Sequence, residues 1–544
     1  MLKIKASYGS QGNDAIGMYR YTDLYSVTND GNDGFSIMFG ANEEHNIQVL
    51  LGHETYNLRS YSLSAGKMNI YSTDNLELNG AVVDGKSSAS QFGEYVNEGY
   101  FIRGMYEYDG RIFASASYRR DASSRFHPDH RWGNFWSVGA AWIINRESWF
   151  NAPFINMLKV KASYGSQGND AIGQYMYTDL YSVTNDGSDG ISIMFGQKGN
   201  PNITWETNSN LNVGVEFGFW QDRLSGSVDY FYRKTSDMLF SVPVAPSLGY
   251  SSYYDNIGDM SNTGIEVVLN GDIFRTKNVT WSISANLTWV KNKVLSLPES
   301  RKDYEVNGHK GFISGSTFLA EGLPLNTLYI YDYAGVNQET GESQWWHLKK
   351  TYDEETGKEI KREWVKTTDY GDISSDPDSK KLFDSTMPDV FGGFTTTLYA
   401  YGFDLSIAFD YQLGGTTIDG SYAGYMSSPT ASSLGKNYHL DLLDAWTPQN
   451  PNSQIPRFQY ADEYTAATSS RFLISSNYLN ISNINLGYTF PTKWWKGHIQ
   501  NLRVYVACDN VWYWSARKGF DPRGGGNGLY SPIRTISGGV TLTF

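Results

Sequence analysis

A chain of 544 residues with 15% aromatic side chains, 55 Gly and only 19% charged residues has the composition of strands and turns, which excludes a helical or a disordered protein. Its formal charge of −13 excludes a nucleic-acid partner, which would need a basic face, and the single cysteine, Cys508, excludes a disulfide framework or a paired-cysteine metal knot. No stretch approaches the roughly 20 consecutive apolar residues of a membrane helix, whereas membrane strands alternate and average out polar, so a mean hydropathy of −0.44 leaves a β-barrel open.

The first feature along the chain is a repeat. Residues 1–40 recur at 157–196 with 35 of 40 positions identical, the exceptions being Ile4/Val160, Met18/Gln174, Arg20/Met176, Asn32/Ser188 and Phe35/Ile191. Solenoid repeats diverge and occur many times. A near-perfect copy that occurs twice and stops at Gly40 and Gly196 reads as a recent duplication or an assembly scar, so 1–41 is set apart from a barrel domain over 42–544. The N-terminus, Met-Leu-Lys-Ile-Lys-Ala-Ser-Tyr, lacks the basic-then-apolar shape of a signal peptide.

From residue 46 the apolar period is two rather than 3.6. Leu211, Val213, Val215, Phe217 and Phe219 share one face, and Leu224, Gly226, Val228, Tyr230 and Tyr232 repeat the pattern. Trp281, Ile283, Ala285, Leu287 and Trp289 do the same, as do Phe403, Leu405, Ile407, Phe409 and Tyr411. Alternation alone does not distinguish lipid from a protein core, but the connections do. Tight ones (Thr55-Tyr56, Asp109-Gly110, Gln221-Asp222-Arg223, Phe274 to Asn278, Tyr401-Gly402) alternate with long ones (67–97, 167–206, 235–261, 338–389, 414–475). Short turns on one side and long loops on the other mark an outer-membrane barrel. Trp149, Phe150, Trp220, Trp494 and Trp495 fall on the tight-turn side, where an interfacial aromatic girdle belongs. The last segment carries Ile536, Gly538, Val540, Leu542 and Phe544 on one face, and Phe544 is the candidate barrel-assembly signal.

The expected fold is all-β: a transmembrane antiparallel β-barrel, of which the chain holds about 17–18 strands. Segments that carry a family resemblance are Tyr118-Arg119-Arg120-Asp121-Ala122-Ser123-Ser124-Arg125-Phe126 with Arg131-Trp132-Gly133, Leu158 to Gly165, and Asp229-Tyr230-Phe231-Tyr232-Arg233-Lys234-Thr235. Asn262-Thr263-Gly264-Ile265-Glu266, Trp446-Thr447-Pro448-Gln449-Asn450-Pro451, Tyr478 to Tyr488 and Asp509-Asn510-Val511 complete the set. On these the chain resembles the SusC/RagA family of TonB-dependent outer-membrane transporters across 42–544. The resemblance implies a 22-stranded barrel around an N-terminal plug, a SusD-like surface lipoprotein as lid, and import of oligosaccharides or peptides driven by TonB, ExbB and ExbD. It also implies a fragment. In that frame the segment from 46 is strand six, running toward the tight turns, and plug, TonB box, signal peptide and about five strands are expected to be missing. A non-transporting surface adhesin is the alternative.

Candidate site residues divide by chemistry. Asp404, Asp410, Asn286 and Asp229 sit on polar faces, where they either wet a lumen or line a substrate path. Tyr253, Tyr254, Trp345, Trp346, Tyr422, Tyr425, Tyr438 and Tyr464 lie in long connections, as stacking platforms or as loop packing. Asp369, Asp372, Asp376 and Asp378 are spaced vaguely like a calcium loop, but Gly371 is misplaced and no Glu closes the set, so a solvated acidic loop is the better reading. His127-Pro128-Asp129-His130 lacks the helix and Glu of a zinc site, Cys508 alternates with Leu502, Val504 and Val506 on the lipid face, and no catalytic or cofactor motif is present.

Overall fold

A computed structural model describes residues 2–6, 34–42, 44–70, 77–78, 81–185, 190–433, 435–495, 499–524 and 532–544. Among the described residues the principal sheet holds sixteen strands, neighbours in chain order. They are β1 (Leu2–Ala6), β2 (Gly34–Asn42), β3 (His45–Ile70), β4 (Ala81–Tyr108), β5 (Ile112–Ser123), β6 (Trp132–Ile143), β7 (Ile155–Asn169) and β8 (Glu206–Phe219). Then come β9 (Leu224–Ser236), β10 (Asp259–Arg275), β11 (Val279–Ser296), β12 (Val390–Ala400), β13 (Phe403–Leu413), β14 (Tyr478–Thr489), β15 (Asn501–Ser515) and β16 (Thr535–Thr543). The chain forms two compact units: Met1–Phe150, Lys159–Val213 and Arg233–Asp259 make the first, and Asn151–Leu158, Gly214–Tyr232 and Met260–Phe544 the second.

In the first unit β3 and β4 form a ladder of 26 and 28 residues that runs from His45↔Tyr108 to Ile70↔Ala81. The turn expected at Thr55-Tyr56 is therefore absent, since Thr55 pairs with Glu98 and Tyr56 with Asn97 in mid-ladder. Neither residue favours a turn, and Thr and Tyr are strand formers. Much of the expected 67–97 loop is likewise paired strand, although Asp84, Gly85 and Lys86 are not strand formers; 71–76 and 79–80 lie outside the described residues. The Glu44 carbonyl accepts from Asp109 N, so the segment from 46 starts beside the Asp109-Gly110 turn and leaves the tight-turn side. Its polarity is the reverse of the expected one, and among the described residues fourteen strands of the principal sheet run from His45 onward, against about 17 expected there.

The second unit shows the other source of the overcount. Between β11 and β12 the chain builds a five-stranded sheet (Tyr304–Val306, His309–Ser314, Thr317–Ala320, Thr327–Tyr331, Lys380–Ser385) and a three-stranded one (Tyr333–Val336, Ser343–Tyr352, Glu359–Thr367). Both belong to a connection that begins near 297 rather than at 338. Short alternating strands of a loop sheet share the period of crossing strands, so pattern alone does not separate them.

The remaining tight turns stand where the sequence puts them. Tyr401 and Gly402 join β12 to β13 with φ of 51° and 93°, and Ala400 pairs with Phe403 across them. Two positive φ values in a two-residue loop make the mirror-image turn that matches strand twist, and Gly is the residue that adopts the second at no steric cost.

Apolar side chains on one face of the strands stand open. On β15 Val506 is 55% exposed, with Val504, Trp512 and Trp514 on the same face, and half-buried Cys508 lies between Ile484 and Ile536 of the flanking strands. So large an exposed apolar surface is what lipid covers. Trp149, Trp220 and Trp494 are exposed near the tight turns; the side chain of Trp495 lies outside those described. No helix among the described residues is long and apolar enough to cross a membrane. The clusters of buried hydrophobic side chains sit chiefly in the long connections and their strand ends.

Candidate functional site

In the first unit the connections 124–131, 170–205 and 237–258 condense on Phe126, Phe135, Ile172, Ile203 and Trp205, with Tyr254 and Leu239 packed against them. The Arg125-Phe126 pair organises this core. Arg125 donates to the Asp170 backbone carbonyl at 3.0 Å and lies over the Tyr95 ring, while Asp170 accepts from Ser123 Oγ at 2.6 Å and from Tyr95 Oη at 2.9 Å. Phe126 then enters the apolar centre beside Trp205, whose indole donates to Arg131 O. The His127 and Asp129 side chains lie 3.4 Å apart on the loop, and His127 meets Tyr177 edge-on.

In the second unit the two loop sheets and the 414–477 connection carry three smaller cores, around Phe318 and Tyr329, around Tyr331, Trp345 and Ile373, and around Ala423, Met426 and Phe472. Ion pairs tie them together: Lys350 meets Asp376 and Asp378, and Lys381 meets Asp332 while facing Trp346 and Trp364. Arg517 pairs with buried Asp419 and lies over the Tyr422 ring. Burial, with the Tyr422 hydrogen bond to Asp441, pushes the Tyr422 hydroxyl up to about 12.

One open cleft of about 240 Å³ is lined by Arg457, Gln459, Tyr460, Ala461, Asp462 and Tyr464. Its scaffold is the Trp446-Thr447-Pro448-Gln449-Asn450-Pro451 segment. Trp446 N donates to Ile455 O, its indole donates to Gln338 O, and Thr447 bridges to Asn450, which folds the segment back and presents 457–464. Arg457 is held by Glu342 Oε1 at 3.0 Å and by Thr340 O at 3.2 Å. Arg457 Nε and Asp462 Oδ2 form a long ion pair at 3.5 Å, with both atoms buried from solvent. Burial raises the Asp462 carboxyl above the usual carboxylate range, against the opposing pull of Arg457. Tyr464 stacks on Tyr370 at 4.7 Å and 19°, and Tyr460 is 61% exposed.

The candidates from the sequence separate accordingly. Asp404 is in a bidentate pair with Arg503, Asp410 accepts from Asn480, Asn286 Oδ1 accepts from Gly393 N, and Asp229 is half-buried on β9. Trp345, Tyr254 and Tyr422 are packing residues, Tyr253 meets Tyr250 edge-on, Tyr438 packs edge-on to Phe458, and Trp346 lies between two lysines. Only Tyr425 and Tyr464 of that set are widely exposed. Asp369 and Asp376 cap short helices, Asp372 accepts from Thr367, and Asp378 pairs with Lys350. The run Arg457-Phe458-Gln459-Tyr460-Ala461-Asp462 was missed, although its aromatic residues interleaved with amide and carboxylate are a readable signal.

The model of the family described as TonB dependent receptor-like, beta-barrel matches residues 2–396. The chain belongs to this family. It is 27% identical to TonB-dependent receptor P3 of Formosa agariphila over 100% of this chain and 56% of that protein. With TonB-dependent receptor SusC of Bacteroides thetaiotaomicron it shares 26% identity over 95% of this chain and 49% of that protein. A solved structure of the RagAB peptide transporter superposes with a TM-score of 0.78 at 27% identity, covering 94% of this chain and 55% of that one. The chain thus spans about half the length of the relatives it matches. The TonB-dependent receptor barrels are outer-membrane transporters and receptors, and the long strands of this chain are membrane-crossing strands of such an antiparallel β-barrel.

Proposed function

We propose that the chain is the barrel portion of a nutrient importer that takes up oligosaccharides, or alternatively peptides, together with a SusD-like surface lipoprotein and with energy from TonB, ExbB and ExbD. The reading rests on similarity along nearly the whole chain to SusC and to the RagAB peptide transporter. Long connections that fold into their own small cores, and so hold polar and aromatic groups at fixed places, support it. No catalytic role is assigned, and residues 1–41 are read as a second copy of 157–196; 7–33 lie outside the described residues.

Deleting the encoding gene is expected to abolish growth on one class of oligosaccharide or peptide and to spare growth on the corresponding monomers. A tagged protein isolated from outer membranes is expected to bring a surface lipoprotein with it. Undiminished uptake in the deletion strain, or in a strain without TonB, overturns the proposal.

Phe544, 77% exposed just beyond β16, is assigned as the barrel-assembly signal. Its removal is expected to reduce the fraction of protein that migrates as a compact, heat-sensitive band on cold gels. An unchanged fraction removes that role.

A further inference from the structure

We propose that Arg120, with Trp132 and Asn134 beside it, forms a site for the phosphate of a lipid headgroup in the outer leaflet of the membrane. The site needs only the barrel, whatever the chain imports. Its height on the barrel is the first observation. Leu51 pairs with Ile102, Ile102 with Tyr118 and Tyr118 with Trp136, and all four stand open on one face of β3 to β6, which is the face that lipid covers. Aromatic residues close this face at both ends: Tyr108 and Trp142 at the tight turns, Tyr100 and Trp132 on the side of the long connections. Tyr100 and Tyr108 bound nine residues of β4, against the about 9–11 with which a tilted strand crosses a bilayer. Arg120 pairs with Tyr100, so it stands in the aromatic girdle on the long-connection side, which is the outer one. An outward arginine is costly at mid-membrane and nearly free at this level.

The second observation is a group of exposed donors that nothing accepts from. The Arg120 side chain is exposed, makes no ion pair among the described residues, and lies over the Trp132 ring at 5.1 Å. Glu98, on the same face, is taken instead by Tyr100 Oη at 2.7 Å and stands 3.3 Å from His53 Nε2. Asn134 pairs with Arg120 across the ladder and accepts from Tyr118 Oη at 2.8 Å, which turns its amide nitrogen outward beside the guanidinium. The indole N–H of exposed Trp132 has no acceptor among the described residues either. Guanidinium, amide and indole thus offer donors at one height, and the oxygens of a phosphate accept from such a set, two of them bidentately from the guanidinium. Continuity chooses the source of that phosphate. Acyl chains already cover Ile102 and Tyr118 directly below, so the headgroup of the same lipid meets Arg120, while the Trp132 and Tyr100 rings, 6.2 Å apart, lie under its polar backbone.

The test uses protein purified from outer membranes and exchanged into mixed detergent micelles that contain either phosphatidylglycerol or diacylglycerol with the same acyl chains. Native mass spectrometry counts the lipid that stays bound. Phosphatidylglycerol is expected to be retained and diacylglycerol to be lost. Arg120→Gln is expected to weaken the tightest phosphatidylglycerol site about tenfold, as for a hydrogen bond to a charged group, and Arg120→Lys to recover part of that loss through its point charge. Asn134→Asp, which sets a carboxylate beside Arg120, is expected to weaken the site at least as much as Arg120→Gln. Compact migration on cold gels checks that each variant is folded. Equal retention by the wild type, Arg120→Gln and Asn134→Asp overturns the site, and so does retention of diacylglycerol to the same extent as phosphatidylglycerol. Full displacement of the lipid by millimolar inorganic phosphate overturns the assignment to a headgroup. None of these results bears on the importer reading, which the growth and uptake experiments test separately.

Discussion

Gly487→Val is expected to sharply reduce the yield of assembled protein and to lower the temperature at which its compact band is lost on cold gels. Asp404 of β13 pairs with Gly487 of β14, and Gly487 pairs with Tyr505 of β15. Arg503 crosses this ladder diagonally: its Nε donates to Asp404 Oδ1 at 3.0 Å, and Nη2 donates to Asp404 Oδ2 at 2.5 Å and to Asn485 Oδ1 at 2.8 Å. A Cβ on residue 487 would stand 2.4 Å from Arg503 Nη2 and 2.6 Å from Asp404 Oδ1. The guanidinium occupies the space that the glycine leaves free. A valine displaces it, and Asp404, largely covered by its neighbours, loses its cation. Breaking a buried pair costs about 3–5 kcal/mol, and allowing for the water that both groups still meet, roughly 2–3 kcal/mol is expected. Arg503→Met is expected to cost a similar amount, and Asp404→Leu in the same chain to recover part of it. A wild-type transition for Gly487→Val removes the argument.

Phe126→Ala is expected to open the loop core of the first unit without disturbing the strands beneath it. The ring is fully buried among Phe135, Ile172, Ile203 and Trp205, 5.3 Å from the Trp205 ring centre. Emptying such a site costs about 3–5 kcal/mol. The β5/β6 ladder, from Ile112↔Trp142 to Ala122↔Trp132, does not depend on that ring, so compact gel migration is retained. Limited proteolysis is then expected to cut within 170–205 and 237–258 at enzyme levels that leave the wild type whole. Equal resistance in variant and wild type means that Phe126 does not hold these connections together.

Legibility in the sequence followed local chemistry. The turns at Asp109-Gly110, Gln221-Asp222-Arg223 and Tyr401-Gly402 carry residues that tolerate positive φ, and the structure turns at each. The break expected at Thr55-Tyr56 had no such residue, and the strand runs through it. Alternation located the crossing strands β8, β9, β11 and β13, yet His309–Ser314 and Thr327–Tyr331 are strands as well and belong to a loop sheet. Trp345 and Tyr464 were equivalent loop aromatics in the sequence. One is buried between sheet and helix and the other lies at the cleft, because burial is set by segments far away along the chain.

The repeat separates the two levels most sharply. By itself the sequence determined that Leu2–Ala6 and 158–162, or Gly34–Asn42 and Ile191–Gln197, form strands, since period and β-propensity are local and all four are extended. Tertiary structure decided their partners. In the first copy Lys3 pairs with Met38 and Ile4 with Ile37, inside the main sheet. In the second, Lys161 pairs with Ala141 of β6, while Met194 pairs with Ser182 in a separate hairpin. Nearly identical segments thus take different neighbours. A strand fixes only the spacing of its donors and acceptors, and the edge that satisfies them is whichever one the rest of the fold brings alongside.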